Sequence, residues 1–443
     1  MQRREFFRHG LSSVVLPSLI NGFSIRALAA NPFLQDEAAD LNDPDRVLVL
    51  VQLNGGNDGL NMVIPLEYYD AYYAARSNIA IPRNKVLSLE GFPGTGLNPA
   101  MTALQNLFQE GRISIVQGVS YPQPNFSHFR ATDIWLTGAD AGQVLPTGWA
   151  GRYLHEVYPR FPLDYPNNAM PDPLAIQVGS LVSPALQGPA LTMGMAISNP
   201  NSFYDLINDR PEAVGATTPV RAGEQLAYIR EMAVKTDQYA GVIRQAAQRV
   251  QQQSDKYPAA GKNALADQLK IVARLVAGGL KTRIYIVSMG GFDTHARQTE
   301  PGDPTTGNHA KLLGKLSEAI GAFQDDLAYL RIGDRVMGMT FSEFGRRIRS
   351  NASGGTDHGV AAPVLLFGES VNPGIIGANP LLPDVATVRD NVPMLYDFRA
   401  LYAGLLENWW GIDSLTAARL LGNNYIPMPI IRRSNAGGVE MNR

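Results

Sequence analysis

The sequence predicts an α/β protein whose mostly parallel β-sheet is sandwiched between helices. Two observations predict this fold. Short apolar runs rich in β-branched residues alternate with amphipathic helical segments, and the chain shows no internal repeat or low-complexity tract. With 443 residues, the chain is long enough for one large α/β domain with insertions or for two domains of ordinary size. We take residues 30–443 as one domain.

The first predicted strand is Arg46–Leu53, a nearly continuous apolar run that ends in the turn-forming segment Asn54–Gly59. Such runs are typical of parallel strands, because both faces of a parallel sheet are buried. A helix over Asn98–Glu110 begins with Asn-Pro, and a second strand follows over Ile113–Val119. This helix-then-strand order is the unit from which a parallel sheet is built.

The same order recurs in the second half of the chain. Strands are predicted at Arg283–Met289, Arg335–Phe341 and Pro363–Phe367. A helix from about His309 to Leu330 separates the first two strands, and an amphipathic helix over Tyr396–Trp410 follows the last. These elements extend the predicted sheet and cover it with helices.

The alternation is interrupted between residues 140 and 277. Proline-rich loops over 159–173 are followed by long polar helical stretches, of which 224–253 is the clearest. We therefore expect a large, partly helical insertion at 140–277, placed as a cap over the functional site.

The composition excludes several classes of function. The net charge of −2 and the absence of a basic cluster exclude a nucleic-acid partner. No segment beyond the N-terminus has the roughly 18 consecutive apolar residues of a spanning helix, so we expect no stable membrane span in the mature chain. The chain contains no cysteine, which excludes disulfides and thiolate metal sites.

The N-terminus has the pattern of a twin-arginine signal peptide. Arg3 and Arg4 precede an uncharged stretch over Leu11–Ile25, and Ala27–Ala30 has the small-x-small form of a cleavage site. We expect residues 1–29 to be removed and the mature chain to be periplasmic or otherwise exported. The twin-arginine translocase would then be its partner during export. The alternative is a frayed amphipathic N-terminus.

Polar residues that could carry chemistry follow the predicted strands. Ligands of open α/β sheets bind at the carboxyl ends of the strands, so these residues are expected to gather at one edge. They are Asp58 after the first strand, Ser127, His128 and Arg130 after the second, Asp293 and His295 after the third, and Glu343, Arg346, Asp357 and His358 after the fourth.

The mixture of carboxylates and imidazoles indicates a divalent metal site, because both are good ligands of such ions. Zinc is the preferred ion, manganese, iron and calcium are alternatives, and the number of ions is left open. The predicted ligands are Asp58, Asp293, His295, Glu343, Asp357 and His358, with His128, His309 and Arg346 as additional site residues.

Two further residues are predicted to act on the substrate. Ser127 would be the nucleophile, its hydroxyl deprotonated beside a bound cation at the start of a helix. Arg130 would hold an anionic group through two hydrogen bonds. The simpler alternatives are that Ser127 is only a helix cap, that Asp58 is a turn residue, and that Arg346 belongs to a surface ion pair.

Several motifs together resemble the domain of unknown function 1501 family, which is related to the alkaline phosphatase and sulfatase superfamily. They are the twin-arginine leader, LNGGNDGLN (53–61), SHFRATDIW (127–135), GGFDTH (290–295), HAKLLGKLSEAIGAFQDDL (309–327), TFSEFGR (340–346) and GGTDHG (354–359). The resemblance implies an alkaline-phosphatase-like α/β fold with a two-metal site. It assigns metal ligands to Asp58, Asp293, His295 and His358, and the nucleophile to Ser127.

The chain departs from the superfamily pattern in ways that bear on activity. Asp293 and His295 are spaced more closely than in phosphatases, and Ser342-Glu343 replaces the usual Asp-His pair, which leaves the metal count open. Because there is no cysteine to become formylglycine, phosphoryl transfer is favoured over sulfatase activity.

Three functional hypotheses follow. The first is an exported metal-dependent hydrolase of phosphate or related anionic esters, small or polymeric, with Ser127 or a metal-bound water as nucleophile. The second is a non-catalytic envelope binding protein on a degenerate alkaline-phosphatase-like fold. The third, an esterase of the SGNH type, starts from Gly56-Asn57-Asp58, but the chain lacks an early Gly-Asp-Ser and has no histidine after His358.

Overall fold

The computed structural model describes residues 19–20, 23–24, 45–199 and 237–432. The predicted leader lies outside these residues, apart from the antiparallel pairing of β1 (Leu19–Ile20) with β2 (Phe23–Ser24). Across the described residues, we find no helix with the length and apolar character needed to cross a membrane.

The elements alternate as predicted through much of the chain. The other strands are β3 (Val47–Leu53), β4 (Val63–Pro65), β5 (Leu87–Ser88), β6 (Thr95–Leu97), β7 (Ile113–Ser120), β8 (Ala175–Val178), β9 (Met195–Ile197), β10 (Ile284–Met289), β11 (Val336–Phe341), β12 (Arg346–Ser350), β13 (Thr356–His358), β14 (Ala362–Phe367), β15 (Gly374–Ile376) and β16 (Tyr396–Asp397). The helices are α1 (Gly59–Met62), α2 (Tyr69–Arg76), α3 (Thr102–Gln109), α4 (His128–Thr137), α5 (Trp149–Val157), α6 (residues 237–249), α7 (Ala264–Ala277), α8 (Asn308–Tyr329), α9 (Phe398–Gly404), which continues as a π-helix over Leu405–Trp409, and α10 (Ser414–Leu421).

Within the described residues, nine strands form the central sheet in the order β15-β7-β14-β11-β3-β10-β8-β9, with β16 paired to β7. Strand β3 runs parallel to β10 and β11, and β8 runs parallel to β10. Strand β14 is antiparallel to its neighbours β7 and β11, so β7 points in the same direction as β11. The predicted mostly parallel sheet is confirmed, and the carboxyl ends of β3, β7, β8, β10 and β11 lie at one edge.

Both faces of this sheet are buried, as the apolar strand sequences require. In β3, Val49 and Val51 pack into a core with α3, α7 and α8, whereas Leu48 and Leu50 pack on the opposite face with α4, α5, α9 and α10. All four side chains are at most 2% exposed. The sandwich of helices around the sheet therefore follows from the alternating directions of neighbouring strand side chains.

The described part of segment 140–277 contributes to the central fold, and a cap formed by this segment stays a prediction. It supplies β8 and β9 to the central sheet, and α5 and α7 pack against opposite faces of that sheet. The strand β8 is only four residues long and follows proline-rich loops, so its pattern gave no strand signal. Of the predicted helical stretch 224–253, residues 237–249 are helical, whereas 200–236 lie outside the described residues.

Besides the β1–β2 pair, two small sheets in the described residues were not predicted. Strands β4, β5 and β6 form one, and β12 and β13 form an antiparallel hairpin directly after β11. In this hairpin Arg346 is paired with His358, which brings both residues to the carboxyl edge of the central sheet.

Candidate metal centre

A cluster of imidazole and carboxylate side chains lies at the carboxyl edge of the central sheet. His128 is the first residue of α4, Asp293 and His295 follow β10, and His358 ends β13. The side chains of Asp293 and His295 are about half exposed, and those of His128 and His358 are partly buried. The structure thus joins residues from three distant parts of the sequence in a place that solvent reaches.

The Nε2 atoms of the histidines converge on the Asp293 carboxylate. His128 Nε2 lies 3.5 Å from Oδ2 of Asp293, while the Nε2 atoms of His295 and His358 lie 3.2 and 3.4 Å from Oδ1. The Nε2 atoms of His295 and His358 are 2.9 Å apart. His128, Asp293 and His358 thus bring one ligand atom each to the same place, and His295 Nε2 lies beside two of them.

Each of these rings has its other nitrogen, Nδ1, within hydrogen-bond distance of an oxygen acceptor. The pairs are His128 with Glu343 Oε1 (2.7 Å), His295 with Asp357 Oδ1 (3.2 Å) and His358 with the main-chain oxygen of Phe126 (2.8 Å). Such acceptors favour the tautomer with hydrogen on Nδ1 and leave the Nε2 lone pair free to bind a metal. This is the arrangement of metal-binding histidines.

The donor set fits a divalent cation. Single ligand atoms of His128, Asp293 and His358 all lie within 4.8 Å of one another, and His295 Nε2 lies against two of these residues. The 2.9 Å contact between the Nε2 atoms of His295 and His358 is at hydrogen-bond distance, and with hydrogen on both Nδ1 atoms the two Nε2 lone pairs would face a bound ion. Imidazole nitrogen with carboxylate suits zinc, manganese or iron, whereas calcium prefers six to eight oxygen ligands.

Glu343 and Asp357, both predicted as metal ligands, contact Nδ1 atoms instead. Glu343 is 3% exposed, and its Oε1 also accepts the main-chain N–H of Gly55 at 2.8 Å. The Asp357 carboxylate accepts a hydrogen bond from Asn351, which with His295 holds the pKa of Asp357 below its usual value. The structure places both carboxylates behind the rings, where they fix the ring orientation.

Arg346 is buried beside the cluster and is not part of a surface ion pair. Its guanidinium donates to Asp293 Oδ1 at 2.7 Å and to four main-chain oxygens, those of Gly55 and Gly56 after β3, Phe292 after β10 and Thr356 in β13. Burial alone would raise the pKa of Asp293, but the hydrogen bond and charge of Arg346 hold it below its usual value. Arg346 therefore joins the loops and keeps Asp293 ionised.

Burial has the opposite effect on His358. It lowers the pKa of the imidazole, and the nearby Arg346 charge acts in the same direction against the raising effect of the Phe126 carbonyl. A lowered pKa keeps His358 neutral over a wider pH range. The neutral ring is the form that binds a metal.

The loop after β3 approaches the cluster closely at Gly55. This residue has φ of 124°, a conformation that L side chains rarely adopt, and an added Cβ would lie 2.3 Å from the main-chain nitrogen of Asp293. The Gly-Gly sequence thus lets Gly55 donate to Glu343 while the loop packs against Asp293.

Asp58, predicted as the first-strand metal ligand, lies outside the cluster. It is 0% exposed, both its oxygens accept from Arg76 Nη1 at 2.7–2.8 Å, and Oδ2 also accepts from Gln298 at 2.6 Å. Burial would raise the pKa of Asp58, but the Arg76 charge, aided by His309, lowers it overall. Because its oxygens are already occupied, Asp58 is not placed to bind a metal here.

His309 also lies outside the cluster. It is 1% exposed, and its Nε2 lies 3.0 Å from Oδ1 of Asn57. Burial lowers the pKa of His309 to about 4, so the ring is neutral near pH 7. Its role in this structure is a buried hydrogen bond under the loop that follows β3.

Ser127 and Arg130, predicted to act on the substrate, have different surroundings. Ser127 is the exposed N-cap of α4, and its hydroxyl makes no capping hydrogen bond. Arg130 is bound to Asp133 and donates to main-chain oxygens of the loop after α4, those of Asp140, Ala141 and Gln143. The serine hydroxyl is therefore not used as a helix cap, whereas the guanidinium of Arg130 is already bonded to Asp133 and to the loop after α4.

Sequence reasoning missed the residues that support the site. Arg76 ends α2 and is 0% exposed, and Gln298 bonds Asp58, Thr294 and Thr356. No local pattern marks either residue, because the contacts of Gln298 with Asp58 and of Arg76 with the main chain of Arg347 and Ile348 join segments far apart in the sequence. The main-chain oxygen of Phe126, which contacts His358, was missed as well. The one feature of the sequence that could have indicated it is that Phe126 lies two residues before His128.

A cavity of about 750 Å³ opens beside the cluster, and His128, Asp293 and Glu343 form one end of its wall. A volume of this size is typical of small-molecule sites.

Comparison with known proteins gives one family and a set of distant folds. The family model described as "Protein of unknown function (DUF1501)" matches residues 119–420. No curated protein sequence matches the chain significantly.

Three solved structures with a similar course of the chain are remote in sequence. A protein in the alkaline phosphatase superfamily from Vibrio parahaemolyticus is 11% identical, with 86% of this chain and 69% of that chain covered and a TM-score of 0.38. The PsFucS1 sulfatase from Pseudoalteromonas sp. is 10% identical, with 89% and 72% covered and a TM-score of 0.38. The alkaline phosphatase from the Antarctic bacterium TAB5 is 12% identical, with 75% and 94% covered and a TM-score of 0.29.

Proposed function

The chain belongs to the DUF1501 family, and from that premise we propose that it is an exported, metal-dependent hydrolase of phosphate or related anionic esters. One observation carries the proposal. The Nε2 atoms of His128, His295 and His358 converge on the Asp293 carboxylate at the mouth of a cavity. Convergence of imidazole nitrogens and a carboxylate oxygen on one place is the geometry that a divalent cation requires.

We propose the following roles for the residues of the cluster. Asp293 and the histidines would hold one divalent ion, with zinc preferred and manganese or iron as alternatives. When bound, such an ion polarises an ester oxygen and lowers the pKa of a hydroxyl or water beside it. Glu343 and Asp357 keep the rings in place, and Arg346 keeps Asp293 ionised. We propose a single ion because Asp58 is already occupied by Arg76.

Two nucleophiles are compatible with this site, and Ser127 has the stronger support. Its hydroxyl is exposed and makes no capping bond, and its neighbours in sequence, Phe126 and His128, both contact the cluster. It also lies at the N-terminus of α4, where free main-chain N–H groups attract an anionic substrate group. Water activated at the same place is the alternative.

The esterase hypothesis of the SGNH type loses its support. Asn57 and Asp58, the residues that suggested it, are 1% and 0% exposed and are bonded to His309 and Arg76. Neither side chain can contact a substrate.

The proposal is tested by hydrolysis of p-nitrophenyl phosphate, bis-p-nitrophenyl phosphate and p-nitrophenyl sulfate, with and without a chelator. We expect hydrolysis of at least one of these esters, its loss with the chelator, and a decrease of about 100-fold or more in Asp293→Asn and His358→Ala. Asp255→Asn, at a side chain that is 93% exposed and far from the cluster in sequence, is the control and should retain activity. In Ser127→Ala, loss of activity identifies the serine as nucleophile, and full activity identifies water.

A non-catalytic envelope binding protein is the competing function. It predicts that no ester is hydrolysed by protein with a full metal content. That result would exclude the hydrolase.

Export by the twin-arginine route rests on the leader sequence. Replacing Arg3 and Arg4 by lysine should keep the chain in the cytoplasm, whereas Arg8→Lys should not. Export of the double variant would contradict this part of the proposal.

A further inference from the structure

The cavity beside the metal centre has a lining that indicates what part of a substrate it holds. Its wall continues from His128 and Asp293 along the ends of β3 and β8, and then along the first turns of α4. Gln52 contributes from β3, Gln177 from β8, and Phe129 and Thr132 from α4.

Amide groups in this lining are free to bind a ligand. Within the described ranges, the side-chain amides of Gln52, Asn54 and Gln177 make no hydrogen bond to the protein. Gln177 is 7% exposed, so it is a buried polar side chain whose amide lines the cavity. Because these amides have no partner in the protein, a ligand in the cavity that can both donate and accept hydrogen bonds can bond them in place of water.

The lining carries no positive charge to bind a second anionic group. Among the described residues, neither lysine nor arginine lines the cavity, and its ionisable side chains besides His128 are the carboxylates of Asp133, Asp293 and Glu343. Asp133 is paired with Arg130. A polyanion such as a nucleotide or a highly charged polymer would meet repulsion here, so the part of the substrate beyond the ester should be uncharged.

An aromatic ring completes the surface. Phe129 is 91% exposed although it is a large apolar residue, and it follows the metal-site residue His128 directly. The lining also contains apolar side chains, among them Leu136, Leu181 and Val182, and a ring at the rim of such a mixed pocket offers a flat surface on which the C–H face of a pyranose can pack. Amides opposite the ring would then meet the hydroxyl groups.

We propose that this cavity binds an uncharged glycosyl group, so that the substrate is a sugar carrying a single anionic ester. The ester lies at the metal centre, the sugar ring packs on Phe129, and its hydroxyls bond Gln52, Asn54 and Gln177. This assignment rests on the proposed function for the position of the ester. A lipid chain fits less well, because it would leave the amides without partners.

The test compares two esters in the same protein. We measure kcat/KM of the wild-type chain for glucose 6-phosphate, galactose 6-phosphate and the corresponding 6-sulfates. Each value is divided by kcat/KM for the matching p-nitrophenyl ester to give a ratio. For at least one sugar ester, Gln177→Leu and Phe129→Ala should each lower this ratio by about tenfold or more, mainly through KM. Tyr73→Ala removes another exposed ring, outside the cavity lining, and should leave the ratio unchanged.

Binding of uncharged sugars separates this inference from the hydrolase proposal. Isothermal titration with neutral disaccharides, lactose and maltose among them, should show binding that is weakened in Gln177→Leu, even in protein treated with a chelator. If p-nitrophenyl esters are hydrolysed but the ratio does not change in either variant, the glycosyl site is wrong and the hydrolase stands. If sugars bind through Gln177 and no ester is hydrolysed, the glycosyl site stands and the hydrolase is wrong. Preferred binding of decanoyl or peptide esters would overturn the glycosyl assignment in favour of those ligands.

Discussion

For an individual residue, the decisive property is whether the polar atoms of its side chain already have hydrogen-bond partners inside the protein. Asp293 and Asp58 are both carboxylates after parallel strands, and an arginine contacts each of them. In Asp293 the second oxygen faces His128, whereas in Asp58 both oxygens are bonded inside the protein. The sequence predicted that both carboxylates follow strands at the carboxyl edge of the sheet. It does not show which carboxylate oxygens lack a hydrogen-bond partner.

The Asp58–Arg76 pair is predicted to be structural. Arg76→Met would leave a buried, unpaired carboxylate and lower the free energy of unfolding by about 3–5 kcal/mol, because a charge without a partner is strongly disfavoured inside a protein. The double variant Asp58→Asn/Arg76→Met should be less destabilised than Arg76→Met alone. Urea unfolding measures both effects. Loss of metal binding in a folded Asp58→Asn variant would show instead that Asp58 is a ligand.

His309 should make stability depend on pH in a defined range. Its pKa is about 4 in the folded protein against 6.5 in the unfolded chain, so between these values the unfolded chain binds more protons. The free energy of unfolding should therefore fall as the pH decreases from 6.5 to 4, by about 1.4 kcal/mol per pH unit from this residue. Urea unfolding at several pH values should show a smaller slope in His309→Gln. His155→Gln, on α5, should keep the wild-type slope, and equal slopes in all three proteins would refute the role of His309.

Whole elements were predicted well where their pattern is local. Strands β3, β7, β10 and β11 were found because uninterrupted apolar runs mark strands that are buried on both faces. The β12–β13 hairpin was missed because its strands are short and polar, and they are stabilised by contacts such as Arg346 with the loops. The same hairpin positions His358.

The loop after β3 provides a test at the scale of an element. Gly55 and Gly91 both have positive φ, but a Cβ at Gly91 would meet no atom within 4 Å, whereas at Gly55 it would collide with Asp293. Gly91→Ala should cost about 1 kcal/mol of backbone strain. Gly55→Ala should cost more and should also weaken metal binding, because Asp293 must move. Unfolding and zinc titration of the two variants measure this, and equal metal affinities would contradict it.

At the scale of the whole molecule, the sequence predicted the mostly parallel sheet and the edge of that sheet at which the candidate site lies. The composition of the candidate metal centre was predicted only in part. Asp293, His295 and His358 were predicted as ligands and lie together, while His128, predicted as an additional residue, is central. The roles of Glu343, Arg346 and Asp58 depend on contacts across hundreds of residues, which no local pattern records.

The strands contributed by segment 140–277 were not predicted, and one of them forms part of the cavity wall. Because β8 extends the central sheet, Gln177 is placed beside the metal centre by the same parallel order that places Gln52. The part of this segment predicted as a cap therefore includes a wall of the cavity.

The central claim is that His128, His295, His358 and Asp293 bind one divalent ion. The most direct measurement is an anomalous difference map from crystals of the mature protein, recorded at the absorption edge of the metal found in it. We predict one peak about 2 Å from the Nε2 atoms of His128 and His358 and from an Asp293 oxygen. The claim would be contradicted by a map with no peak there in metal-loaded protein, or by a peak at Asp58 instead.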